Sequence, residues 1–152
     1  MIIPDVNLLL YACDSDSPFH ARAAAWWRKY LSGTEPVCLP PVVVFGFLRI
    51  ATNGRVFQHP MTCAEAIQHV RSWLARPVVQ IIEPRSNHVE QVCQLLETLG
   101  TAGNLVTDAQ IAALAIEYGA VLHSADADVL RFPRLHWFNP VTGVGSGRLP
   151  GG

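Results

Sequence analysis

Asp5, Asp108, Asp126 and Asp128 are the residues of this chain whose type and spacing could do chemistry. All four fall at strand ends or helix starts, and a parallel sheet would bring those positions to one edge. Clustered carboxylates repel one another and are pushed toward protonation, and the ordinary remedy is a hard divalent cation bound through oxygen. Magnesium or manganese suits such a donor set. A cation held there can activate a water and offset charge developing on a phosphate during an in-line displacement.

The elements that must position these acids are densest between Gly103 and Pro133, which carries three of the chain's six aspartates. Leu105, Ala109, Ala112 and Ile116 recur at helical spacing, and Ile111, Leu114 and Ala115 make the segment apolar on nearly every side, so the helix is expected to be buried. Asp108 on its first turn would then be costly unless something positive lies beside it. After Gly119, Ala120 to His123 reads as a buried strand that delivers Ser124, Asp126 and Asp128 just past its C-terminal end. Asp5 likewise ends a short apolar run at a strand-to-helix junction, where a helix dipole favours a carboxylate and Asn7 could orient it.

With 152 residues, half of them hydrophobic and 15% charged, the chain fits one domain that buries roughly 70% of its unfolded surface without staples. A net charge of −1 gives no global field for nucleic acid. Locally, however, Arg22, Arg28, Lys29, Arg49 and Arg55 are opposed between Ser17 and Ala64 by Glu35 alone. Arg49 and Arg55 are the candidate phosphate contacts. Cys13, Cys38, Cys63 and Cys93 show no zinc-ligand spacing and read as reduced, mostly buried thiols of a cytoplasmic protein. Pro4, Asp5 and Asn7 interrupt the first apolar run, which excludes a signal peptide or membrane span there.

Taken in order, helices are expected over Val6 to Ala12, Phe19 to Ser32, Val42 to Thr52, from Thr62 with Glu65 completing a capping box, and from Ser86 or Asn87 to Thr98. Strands are expected at Val37 to Leu39, Val78 to Ile82 and, as a final edge, Leu135 to Phe138. Trp26 and Trp27 read as core, and His123 and His136 as core or rim residues rather than as acid or base. This alternation predicts a three-layer α/β/α domain over residues 1–140, with a central, mainly parallel sheet of four to five strands. Residues 141–152 read as a flexible Gly-rich tail.

The strings IIPDVNLLLYA, LRIATNGRVF and GNLVTDAQIAALAIEYGAVLHSADADVLRFPRL resemble the PIN-domain family, most closely its VapC-type toxin branch, over Met1 to about Pro140. The resemblance implies a PIN-like fold and a magnesium- or manganese-dependent endoribonuclease that hydrolyses RNA with a cation-activated water. It further implies a small cognate antitoxin and a homodimer as partners. Asp5, Asp108 and Asp126 match the family's acids, Ser124 its hydroxyl residue and Asn7 the polar residue after the first acid.

One departure stands out. The family usually places a glutamate just before the Leu-Arg element of its third helix, where this chain has Gly46 or Phe47. Asp128 is the nearest substitute oxygen, with Glu90 and Asp14 as others. The gap leaves an alternative reading, a catalytically degenerate PIN-like module that binds RNA or protein. A phosphatase-like hydrolase with an aspartate nucleophile is disfavoured, because Val6 and Asn7 follow Asp5 without the DxD order.

Overall fold

A computed structural model describes residues 1–147. Three layers of helix, sheet and helix are built from β1 (Ile2–Pro4), α1 (Val6–Cys13), α2 (His20–Leu31), β2 (Val37–Leu39), α3 (Pro41–Ala51), α4 (Cys63–Leu74), β3 (Val79–Ile81), α5 (His88–Leu99), α6 (Leu105–Tyr118), β4 (Val121–His123), β5 (Trp137–Asn139) and β6 (Val144–Gly145). A short 3-10 helix, Ala127–Arg131, follows β4.

The sheet runs β3-β2-β1-β4-β5-β6, parallel through β5 and closed by an antiparallel β6. Two sequence expectations change here. Six strands replace four to five, and β5 is not the edge, because Asn139 pairs with Val144 and Phe138 with Gly145. The sheet therefore continues past residue 140, where the domain was expected to end. A two-residue strand in a polar, Gly-rich segment carries too little periodicity to be read in advance. The expected flexible tail falls partly on residues 148–152, which lie outside the described residues.

The order of the strands matters more than their number. From β1 the chain moves outward to β2 and β3, then crosses back to place β4 on the other side of β1. Such a reversal leaves a crevice beyond the carboxyl ends of the two diverging strands, where α/β sheets bind ligands. Asp5 follows β1 directly, and Ser124 to Asp128 follow β4.

Ile2, Ile3, Val37, Leu39, Phe47, Leu114 and Leu122 fill the core. The two tryptophans belong to it, Trp26 stacked on Trp27 with ring centroids 5.3 Å apart and Trp27 edge-on to Trp73 at 5.6 Å. Helix ends follow local chemistry. Thr62 and Glu65 form a reciprocal capping box on α4, while Gly100 and Gly119 end α5 and α6 in the left-handed conformation that glycine adopts without strain. His88 Nδ1 lies 2.9 Å from Glu117 Oε1 and ties α5 to α6. The four cysteines are free, but Cys63 and Cys93 are exposed rather than buried, since each sits on the outward face of its helix.

Candidate active site

Asp5 is buried and caps α1, its Oδ1 accepting from Val6 N at 2.7 Å. Its own N–H donates to the carbonyl of His123 at 2.8 Å, so the β1–β4 ladder sets its height above the sheet. Ser124 completes the hold: its Oγ donates to Asp5 Oδ2 at 2.7 Å and accepts from Asp126 N at 3.0 Å. Asp126 Oδ1 in turn accepts from Asp128 N at 2.9 Å, which winds the chain into the 3-10 helix. Backbone and hydroxyl donors thus orient two acids that came from opposite ends of the sequence. Asn7 is half-buried and makes none of the hydrogen bonds that hold Asp5, so the expected orienting role falls to Ser124 instead.

Asp108 reaches the same place from the first turn of α6, which packs against β4 and the 3-10 helix. Single carboxylate oxygens of Asp108, Asp126 and Asp128 all lie within 4.8 Å of one another. Asp5 is not one of these three, but its charge reaches Asp108. Burial, then the charges of Asp5, Asp126 and Asp128, push the Asp108 carboxyl up to about 7. Burial likewise raises Asp5, helped by Asp126 and opposed by the hydrogen bonds from Ser124 and Val6.

The cationic partner expected beside Asp108 is absent among the described residues, whose ion pairs are Met1 with Glu35 and His88 with Glu117. The reason is that Asp108 faces other carboxylates rather than a packed apolar face. Arg49 and Arg55 are exposed, at the end of α3 and just beyond it, and neither is among the charges felt at Asp5 or Asp108. Of the proposed substitutes for the missing glutamate, Glu90 is exposed on α5 beside Gln94 and Asp14 caps the far end of α1. Asp128 alone joins the cluster.

Gly46 has a physical explanation. A Cβ built on it would lie 2.9 Å from Val6 Cγ2, closer than real side chains approach, so α3 crosses α1 tightly one residue past Asp5. Phe47 is fully buried against Trp73, with ring centroids 4.8 Å apart. Neither position can present a carboxylate without displacing the core. His123 is not an acid or base: its Nδ1 accepts from Trp26 Nε1 at 3.0 Å, and burial drops its pKa to about 3. It stays neutral and pins α2 to β4. His136 is exposed.

The donor set fits a divalent cation. Three hard oxygen ligands converge, no ion pair among the described residues joins them to a positive side chain, and burial and then its neighbours push Asp108 toward protonation.

A family model described as PIN domain matches residues 2–135. Two curated relatives from Mycobacterium tuberculosis are similar along nearly their whole length. Ribonuclease VapC33 is 47% identical over 141 residues, covering 93% of this chain and 99% of that one. Ribonuclease VapC37 is 37% identical over 140 residues, covering 92% and 97%. Among solved structures, the fold is similar to that of M. tuberculosis VapC20, titled a sarcin-ricin loop cleaving toxin, with a TM-score of 0.66, 18% identity and coverage of 86% and 93%. It is also similar to a chain in VapBC2 from Rickettsia felis bound to a promoter DNA fragment, with a TM-score of 0.63, 19% identity and coverage of 90% and 97%.

Proposed function

Since the chain belongs to the PIN-domain family, we propose that it is a divalent-cation-dependent endoribonuclease and acts as the toxin of a toxin–antitoxin pair. The observation that carries the reading is the convergence of Asp108, Asp126 and Asp128 within 4.8 Å at the crevice between β1 and β4. Relatives named as ribonucleases along nearly the full chain supply the reaction class.

Asp108, Asp126 and Asp128 would hold magnesium or manganese, with Asp5 behind them adding negative charge and, through water, a fourth oxygen. When bound, the cation lowers the pKa of a water and stabilises charge on the phosphodiester under attack. The chain's own part is orientation. Ser124 keeps the Asp5 and Asp126 carboxylates in register, and His123, neutral throughout, fixes the strand end on which they sit. A metal-dependent attack by water needs no nucleophilic side chain, and the half-buried thiol of Cys13, pushed up to about 11 by burial, offers none.

The alternative of a degenerate binding module rested on Gly46. The close approach to Val6 gives that glycine a packing role, and Asp128 supplies the acid that α3 lacks.

The proposed partners are RNA, a small antitoxin and a second copy of the chain. A protein partner is supported by an apolar groove of about 370 Å³ between α3 and α4, lined by Phe45, Leu48, Leu74 and Ile81, with Phe45 64% exposed. No helix among the described residues is long and apolar enough to cross a membrane. A cytoplasmic location is part of the proposal and is supported by the toxin reading, whose RNA substrate lies there. The deciding experiment incubates structured RNAs with magnesium or manganese and compares wild type with Asp108→Asn and Asp126→Asn. Cutting that depends on metal yet survives both substitutions would remove the site from the proposal.

A further inference from the structure

Next to the acidic cluster, and sharing Ser124 and Asp126 with it, lies a cleft of about 190 Å³ whose other walls come from the 3-10 helix and the β5–β6 hairpin. Strand alternation decides what the hairpin presents there. Trp137 and Asn139, two apart on β5, face the cleft, while Phe138 between them faces the opposite side against His123, with ring centroids 5.2 Å apart. Leu130 and Val144, each 58% exposed, close the apolar wall. Asn139 Oδ1 accepts from Val141 N at 2.9 Å and Thr142 N at 3.4 Å, which turns the oxygen toward its own hairpin. The amide Nδ2 is left without a partner among the described residues.

We propose that this cleft is a nucleobase subsite, holding one base of a single-stranded RNA whose adjoining phosphodiester lies over Asp108, Asp126 and Asp128. The proposal rests on the ribonuclease reading above and names where that activity takes its sequence preference.

Three observations favour a base. The volume falls below the roughly 300 Å³ at which pockets for drug-sized ligands begin, which suits one planar ring system. The walls combine an indole and aliphatic groups with one oriented amide, and bases are gripped in that way, by stacking on aromatic side chains and hydrogen bonding at an edge. The shared wall of Ser124 and Asp126 sets the occupant directly beside the acids. An apolar side chain from a protein partner would fill the same volume but would leave the Asn139 amide unanswered. Because the free group of Asn139 is a donor, it matches a base whose exocyclic 4- or 6-position is an acceptor, O4 of uracil or O6 of guanine, where cytosine and adenine carry an amine.

The test uses the full chain and 5′-labelled single-stranded RNA decamers of randomised sequence. Val144→Trp fills the cleft from its outer rim, away from the acids, and Leu130→Ala widens it; melting temperatures close to wild type verify that both fold. Binding is measured in EDTA, and cut ends are sequenced after incubation with manganese. Wild type is expected to show a guanine or uracil preference beside the cut. Val144→Trp should weaken RNA binding on the order of tenfold, the size of losing one stacked base, and flatten that preference. Leu130→Ala should relax the preference with a smaller loss of binding. Unchanged binding and unchanged preference in both variants overturn the subsite while leaving the nuclease standing. A wild type that neither binds nor cuts RNA overturns the ribonuclease reading, and the subsite falls with it.

Discussion

Ser124 Oγ donates a 2.7 Å hydrogen bond to Asp5 Oδ2 across 119 residues of chain, and the same oxygen accepts from the backbone of Asp126. One hydroxyl therefore couples the first of the four clustered acids to the third. Ser124→Ala leaves a buried carboxylate short of a donor and a backbone N–H short of an acceptor, at a cost on the order of 1–3 kcal/mol. Urea denaturation should show that loss, with RNA cleavage reduced as well. Ser124→Thr keeps the hydroxyl and should restore most of both; if it behaves like the alanine variant, the hydroxyl is not what holds the pair.

Metal binding should be coupled to proton release. The Asp108 carboxyl is pushed up to about 7 by burial and by Asp5, Asp126 and Asp128, so a cation competes with a proton below that pH. Apparent manganese affinity, followed by calorimetry, should rise from pH 5.5 to 8 and then level off. Asp108→Asn should flatten the dependence as well as weaken binding. A pH-independent affinity in wild type would mean that Asp108 is not a ligand.

Stability without metal should run the other way with pH. A carboxyl with a raised folded pKa binds more protons in the native than in the unfolded state between about 4 and 7, so its contribution falls as pH rises through that window. His123, lowered to about 3, contributes the opposite slope between about 3 and 6.5, because the unfolded state then binds the extra proton. The difference between wild type and Asp108→Asn isolates the first effect. In EDTA the asparagine variant should become the more stable of the two as pH approaches 8; with manganese supplied, its cleavage activity should fall by about 100-fold or more, a loss on the scale of removing a group that stabilises the transition state. Equal melting curves at every pH would show that the carboxylates do not repel one another.

Replacing a helical glycine by alanine commonly stabilises by about 0.4–1 kcal/mol. Gly46→Ala should instead destabilise, by about 1–3 kcal/mol, because the new methyl group meets Val6 Cγ2 at 2.9 Å. Combining it with Val6→Ala should recover part of the loss, which a double-mutant cycle would read as coupling between α1 and α3. Strictly additive losses would place the strain elsewhere.

Asp5, Asp108, Asp126 and Ser124 were visible in the sequence because strand ends and helix starts can be located from periodicity, and a parallel sheet gathers those positions on one side. Asp128 could be named only as a substitute, since whether a side chain two residues along points inward depends on the 3-10 turn that the Asp126 carboxylate nucleates. Asn7 could not be separated from Ser124 as the residue orienting Asp5, because one is adjacent in sequence and the other adjacent in the sheet. The role of Gly46 depended on how closely two helices cross, a distance that spacing along a chain does not encode. The β5–β6 hairpin left the weakest trace, two strand residues among turn formers, yet it supplies a wall of the cleft beside the acids.

The strand order has a consequence for when the molecule can act. β1, which leads into Asp5, is made long before its neighbour on the side of the other acids, β4, which follows more than a hundred residues later. Until that segment has been translated, Asp5 has no Ser124 to meet and Asp108 has no Asp126 or Asp128 beside it. The site therefore cannot assemble until β4 and the 3-10 helix after it have been made, and an antitoxin already folded in the same cell could meet it as it forms.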